Sequence, residues 1–183
     1  MNHKLIIISG PSGVGKGTIV KELLKRDGYA LSVSCTTRAR RPCEVDGESY
    51  FFISKEEFRK KIETGGFLEY SEHFDNYYGT PRDFVEEQLK SHDVILEIEV
   101  DGGLSAKQSH PEAILIMVVP PNTEELVSRL HHRGTESEEI IAKRLKRMDY
   151  ELSKEKYYDY IITNDVLERA VDEIEQIIKT NKK

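Results

Sequence analysis

Leu5-Ile6-Ile7-Ile8-Ser9-Gly10-Pro11-Ser12-Gly13-Val14-Gly15-Lys16-Gly17-Thr18 passes from an unbroken apolar run through a glycine-rich turn to a lysine. An amphipathic segment follows. This is the strand–loop–helix order of a phosphate-binding loop. Gly10, Gly13 and Gly15 permit backbone conformations closed to other residues and let the chain approach a ligand closely. Consecutive amides then point at an anion, and the helix behind them adds its positive end. Lys16 supplies a mobile point charge for the β- and γ-phosphates of a nucleotide. Gly17 departs from the usual pattern: a magnesium-ligating hydroxyl normally stands there, and here Thr18 comes one place later. A glycine-rich turn without function would not carry every matched spacing together with both flanking signals.

Outward from this stretch, the 183 residues suffice for one domain with a proper core. The formal net charge of −6 argues against a nucleic-acid partner. Positive charge is nevertheless bunched at Arg38 to Arg41 and at Arg129 to Arg147, as suits small anions in a cleft. Cys35 and Cys43 lack metal-ligand spacing and read as free thiols of a reducing compartment. With no apolar run near the ~18 residues of a membrane span, and no room for a leader before Leu5, the expected location is cytoplasmic.

Strands are expected at Leu5–Ser9, Ala30–Ser34, Val94–Val100, Ala113–Val119 and Tyr160–Thr163, the first of them apolar without alternation, as suits a parallel strand covered on both faces. Helices alternate with them: one from Lys16 with Ile19, Val20, Leu23 and Leu24 inward, one at Leu104–Ser109, and a last one with Val171, Ile174, Ile177 and Ile178 on one side. Two more are expected at Thr123–Arg133 and from Ser137 to about Lys154, parted by Gly134. The stretch from Ser34 to Asp93 is different, with four of the nine tyrosines, many charges and short strands at Ser49–Ile53 and Phe67–Ser71. In it Ser54-Lys55-Glu56-Glu57 reads as a capping box, and Thr80-Pro81 as an N-cap followed by proline. Strands alternating with helices give an α/β sandwich about a parallel sheet.

The ordered motifs resemble the guanylate kinases of the P-loop nucleoside monophosphate kinase family over nearly the whole chain. Besides the phosphate loop they are Ser34-Cys35-Thr36-Thr37-Arg38, Arg41-Pro42, Glu44-Val45-Asp46-Gly47, Tyr50-Phe51-Phe52, Glu69-Tyr70, Asn76-Tyr77-Tyr78-Gly79-Thr80, Leu96-Glu97-Ile98-Glu99 and Arg133-Gly134-Thr135-Glu136. The resemblance implies a three-layer P-loop kinase within residues 3–182. Its core would be 1–34, 94–125 and 151–183, its mixed α/β GMP-binding module 35–93, and its helical lid 126–150. The implied reaction is ATP + GMP → ADP + GDP, with ATP and GMP as the partners of a monomer or small homo-oligomer.

The same resemblance distributes roles. ATP would meet Gly10, Pro11, Ser12, Gly13, Val14, Gly15, Lys16, Gly17 and Thr18, with Arg129 and Arg133 over its phosphates and Asn164 near its base. GMP would meet Ser34, Arg38, Arg41, Tyr50, Glu69, Tyr78, Thr80 and Glu97. Lys16, Arg38, Arg133 and Arg144 would act on the transferring group, and Mg²⁺ would be held through water by Glu99, with Thr18 as a second candidate. The chemistry agrees. Guanine's N1–H and 2-amino donors suit a carboxylate, its O6 suits a hydroxyl donor, and arginine forks suit a phosphate dianion. Adenine reverses this edge, and unpaired site groups reject such an analogue by about 10⁴–10⁵. Val94, Ile95, Leu96, Ile98 and Val100 predict that Glu97 stands on a buried strand; Tyr70 and Tyr77 are expected to pack in the core. Asp101 stands where the family usually has glutamine, and Arg147, where it usually has a small residue, reads as a surface charge. The rival readings are a kinase of another acceptor on the same fold and a non-catalytic guanylate-kinase-like binding module. The intact loop and arginines oppose the second, and Glu69, Glu97, Ser34 and Thr80 together oppose the first.

Overall fold

The apolar run becomes the central strand, β1 (Leu5–Ser9), of a five-stranded parallel sheet. The computed structural model describes residues 3–73, 75–122 and 146–181. Beside β1 lie β7 (Asp93–Glu97) and β8 (Ile114–Val119), and outside these β2 (Tyr29–Leu31) and β9 (Tyr160–Thr163), in the order β2-β7-β1-β8-β9. Alternation along β1 decides the layers. Ile6 and Ile8 pack under α1 (Lys16–Leu23) and α5 (Leu167–Thr180), with Ile19, Val20, Leu23, Val171, Ile174 and Ile178. Leu5 and Ile7 face the other way, onto Ala106 of α4 (Val100–Ser109) and onto Leu68. Each fully buried isoleucine contributes roughly 1.5–3 kcal/mol.

A second, four-stranded sheet has the order β4-β3-β6-β5, from β3 (Cys35–Thr36), β4 (Phe51–Phe52), β5 (Phe67–His73) and β6 (Asn76–Pro81). It is mixed: β3 runs parallel to β4 and antiparallel to β6. Helix α2 (Lys55–Glu63) carries the expected capping box, with Ser54 accepting from the Glu57 amide and Glu57 accepting from that of Ser54. Its Phe58 is sandwiched between Phe67 at 4.3 Å and Tyr77 at 5.3 Å. Tyr70, expected in the core, is instead 51% exposed.

Several boundaries differ from expectation, each for a local reason. The second strand stops at Leu31 because the chain crosses between sheets before Cys35 pairs with Phe51 and Gly79. The strand expected to reach Val100 ends at Glu97, because the Glu99 carboxylate caps α4 from the amides of Asp101 and Gly102. Thr80 is no cap: it lies in β6, and α3 (Arg82–Gln88) follows Pro81. α5 begins at Leu167 without a capping side chain. Of the helices expected between Thr123 and Lys154, residues 146–152 are helical, and 123–145 lie outside the described residues. Among the described residues no helix is long and apolar enough to cross a membrane.

Candidate active site

Between β1 and α1 the loop takes the shape its glycines permit. Gly15 has φ 99°, and a Cβ there would lie 2.4 Å from Asn164 Nδ2. That amide donates to the Val14 carbonyl at 2.7 Å, so buried Asn164 braces the loop from the end of β9. α1 opens without a capping side chain or an acidic residue in its first turn, so its positive end keeps its attraction for anions. Lys16 folds back onto the loop, its ammonium donating to the carbonyls of Gly10 at 2.6 Å and Pro11 at 3.0 Å. Burial lowers its pKa, and the carboxylates of Glu97, Glu151 and Glu99 oppose that shift. Thr18 is exposed. A Cβ at Gly17 would sit 3.3 Å from Glu97 Oε1, so the missing side chain leaves room for that carboxylate.

Beyond Glu97 opens a cleft of about 430 Å³ between the two sheets, lined by Ser34, Arg41, Tyr50, Glu69, Tyr78, Glu97 and Glu99, and also by Ser71, Gly79 and Ile98. Glu69 is its buried acid, 6% exposed, and Thr80 Oγ1 donates to its Oε1 at 2.6 Å. Burial raises the Glu69 pKa, against the Thr80 hydrogen bond, which lowers it. Glu97 is exposed rather than buried as expected, because it ends its strand at the cleft mouth. The crowding walls still push its pKa upward, against the charge of Lys16. Arg38 stands beside the cleft, its fork donating to both oxygens of Glu44 at 2.7 and 3.0 Å, with its guanidinium 5.6 Å from the Tyr50 ring. Glu44 also accepts from the Arg41 amide at 2.9 Å, and the Arg38 hydrogen bond, chief among its causes, draws its pKa down to about 2. The structure therefore gathers Glu69, Glu97, Glu99, Arg38, Arg41, Tyr50 and Tyr78 about one opening that adjoins the phosphate loop.

The family model for guanylate kinase matches residues 2–181. The chain belongs to the guanylate kinase family. It is 49% identical over 178 residues to the guanylate kinase of Oceanobacillus iheyensis, covering 96% of this chain and 86% of that protein. With the guanylate kinase of Clostridioides difficile it shares 51% over 180 residues, 97% of this chain and 88% of that one. The crystal structure of guanylate kinase from Anaplasma phagocytophilum superposes with a TM-score of 0.77 at 32% identity, covering 97% of this chain and 85% of that chain.

For a guanylate kinase the region around Glu99 holds most of what the sequence did not disclose. Glu99 was expected on a strand; it is the N-cap of α4, accepting from Gly102 at 2.8 Å and Asp101 at 3.0 Å. Arg147 is no free surface charge. It donates to Glu99 Oε2 at 3.0 Å, Asp101 Oδ2 at 2.9 Å and Glu151 Oε1 at 3.2 Å. Asp101 thus points to Arg147, and its other oxygen accepts from the Tyr150 hydroxyl at 2.9 Å. Gly102 was not singled out, yet a Cβ there would lie 3.0 Å from Glu69 Oε2 and 3.3 Å from Glu99 Oε1. Glu44, quoted only as part of a motif, holds the Arg38 fork and the Arg41 backbone amide. A carboxylate three residues beyond Arg41 was the available signal. Arg129, Arg133 and Arg144 lie outside the described residues.

Among the described residues no group of three histidine, cysteine, aspartate or glutamate side chains could cage a metal ion. The oxygen donors that do stand by the loop, on Thr18, Glu97 and Glu99, fit a hard cation that keeps its waters and leans on nucleotide phosphates.

Proposed function

We propose that the chain transfers the γ-phosphoryl group of ATP to GMP, giving ADP and GDP, with the roles distributed as follows. The observation that carries the reading is a buried carboxylate, Glu69, facing a cleft whose mouth adjoins Lys16 and the amide loop. Glu69 accepts from guanine N1–H and the 2-amino group. Thr80 spends its hydroxyl proton on Glu69, so Ser34, which lines the same cleft, is left to donate to O6. Glu97 closes the base edge on the loop side.

The acceptor phosphate lies toward Arg41, Tyr50 and Tyr78, and Arg38 joins it by exchanging the Glu44 carboxylate for the phosphate. Both partners suit a guanidinium fork. ATP places its phosphates on residues 10–18, where Lys16 leaves the loop carbonyls for the β- and γ-oxygens. The attacking oxygen belongs to an ionised phosphate, so no general base is needed; positioning and charge neutralisation do the catalysis. Glu99 and Thr18 would hold Mg²⁺ through water, and the ion would supply positive charge against the β- and γ-phosphates. Arg129, Arg133 and Arg144 would close over ATP from the lid at 126–150, while the module at 35–93 brings GMP inward and both together exclude water. The buried thiol of Cys35 and the exposed one of Cys43, both unpaired, support a cytoplasmic location.

A coupled ADP-release assay with ATP and Mg²⁺ against GMP, dGMP, AMP, CMP and UMP tests this. ADP formation should require a guanine nucleotide, vanish in Lys16→Ala, and fall at least a hundredfold in Arg38→Ala, on the scale of losing a charged contact to the transferring group. Equal turnover with AMP, or ADP released without any acceptor, would sink the reading.

A further inference from the structure

We infer that Arg147 and Asp101 are a charge-compensated positioning pair for the acceptor side of the reaction, acting through Glu99. One guanidinium serves Glu99, Asp101 and Glu151, a cation shared among three carboxylates. Glu99 lines the cleft, and Asp101 and Arg147 do not; Arg147 reaches it through Glu99. Asp101 is itself fastened at both oxygens, by Arg147 and by the Tyr150 hydroxyl, and the Arg147 guanidinium lies 5.0 Å from the Tyr150 ring. The arrangement fixes two things at once. Glu99 Oε1 is aimed by the Gly102 amide, and its Oε2 is shared by the Asp101 amide and Arg147. The additional negative charge of Asp101 is cancelled where it stands, instead of acting on the dianionic acceptor phosphate through a cleft that already holds Glu69 and Glu97.

Compensation makes a prediction that packing alone does not: the two single substitutions act in opposite directions, and the double one cancels. The measurement is the equilibrium Kd for GMP without ATP, with the ATP Kd and the melting temperature as companions. Arg147→Met should weaken GMP about tenfold, or 1.4 kcal/mol, and the loss should shrink at high salt. Asp101→Asn should leave GMP binding equal or tighter. Arg147→Met with Asp101→Asn should return within about threefold of wild type. Since Arg147→Met strands the buried Glu151 carboxylate, the series is repeated with Glu151→Gln in every member, which keeps the comparison readable if the first series does not fold. A double variant as weak as Arg147→Met, or Asp101→Asn weakening GMP as much as Arg147→Met, would overturn the inference. The inference rests on GMP as acceptor: absence of GMP binding by the wild-type protein would overturn the proposed function, whereas wild-type binding with unmoved variants overturns this pair alone.

Discussion

Glu69 carries two demands that pull against each other. A carboxylate placed in a buried position costs stability, and its raised pKa is the sign of that cost. The folded state holds the proton more tightly than the unfolded chain does, so ionisation above the ordinary value of 4.5 subtracts from stability as pH rises. Glu69→Gln removes the charge while leaving an oxygen for the Thr80 hydroxyl. The variant should therefore melt at or above wild type at pH 8, with the difference closing as pH falls below 4.5, where folded and unfolded wild-type chains both take up the proton. The same change should raise the KM for GMP by roughly 10- to 150-fold, the worth of about 1.5–3 kcal/mol for hydrogen bonds to a charged group, with little effect on the KM for ATP. A melting temperature that drops at pH 8 would show that the carboxylate is stabilising, and equal losses for the two nucleotides would remove its role in choosing the base. Such a residue is half legible in a sequence. A glutamate among Phe67, Leu68 and Tyr70 announces a polar group on an apolar strand, but its Thr80 partner is set by the β5–β6 register. Arg147 was less legible still, since an arginine in a helix reads as solvated and two of its three partners lie 46 and 48 residues away.

At the scale of elements, the legible parts were those whose start and stop are local. β1, its loop and α1 follow from an apolar run, glycines at fixed spacing and an amphipathic stripe, and β9 from four residues bounded by polar neighbours. The boundary between β7 and α4 was not legible, because Val94, Ile95, Leu96, Ile98 and Val100 continue an apolar pattern through it. What ends the strand is a side chain bonding to backbone amides, Glu99 to Asp101 and Gly102, and Val100 buries itself from the first turn of the helix instead. That helix start is also where two acids are spaced. Gly102 separates Glu69 from Glu99 with no side chain of its own, each carboxylate standing 3.0–3.3 Å from where a Cβ would be. Gly102→Ala brings a better helix former, worth up to about 1 kcal/mol, against a methyl group that must displace one or both acids. The expected outcome is a melting temperature near that of wild type, a GMP KM raised at least tenfold, and an unchanged ATP KM. A variant that binds GMP normally would show that neither carboxylate needs its present place.

At the scale of the molecule, the question is whether the second sheet folds with the first or merely hangs from it. Leu68 of β5 and Val85 of α3 belong to the same buried cluster as Leu5, Ile7, Leu96 and Leu115 of the parallel sheet. The Ser109 hydroxyl at the end of α4 also donates to the Leu68 carbonyl at 2.8 Å. One residue before Glu69, then, the second sheet is anchored in the first sheet's core, and the base-reading acid inherits its position from that anchor. Leu68→Ala removes the anchor from a site 3% exposed, at a cost of about 2–5 kcal/mol out of a total near 5–15 kcal/mol. For a chain of this size that is a drop in melting temperature of roughly 4–20 °C. If the two sheets are one cooperative unit, far-UV circular dichroism and tyrosine fluorescence should report the same urea midpoint in wild type, and both should fall together in the variant. Saturating GMP should then raise the two midpoints in parallel, since a ligand held between the sheets stabilises only the state in which both are folded. Separate midpoints in wild type, or a GMP effect confined to one probe, would mean that the second sheet is an autonomous module and that Glu69 is positioned by its own sheet alone.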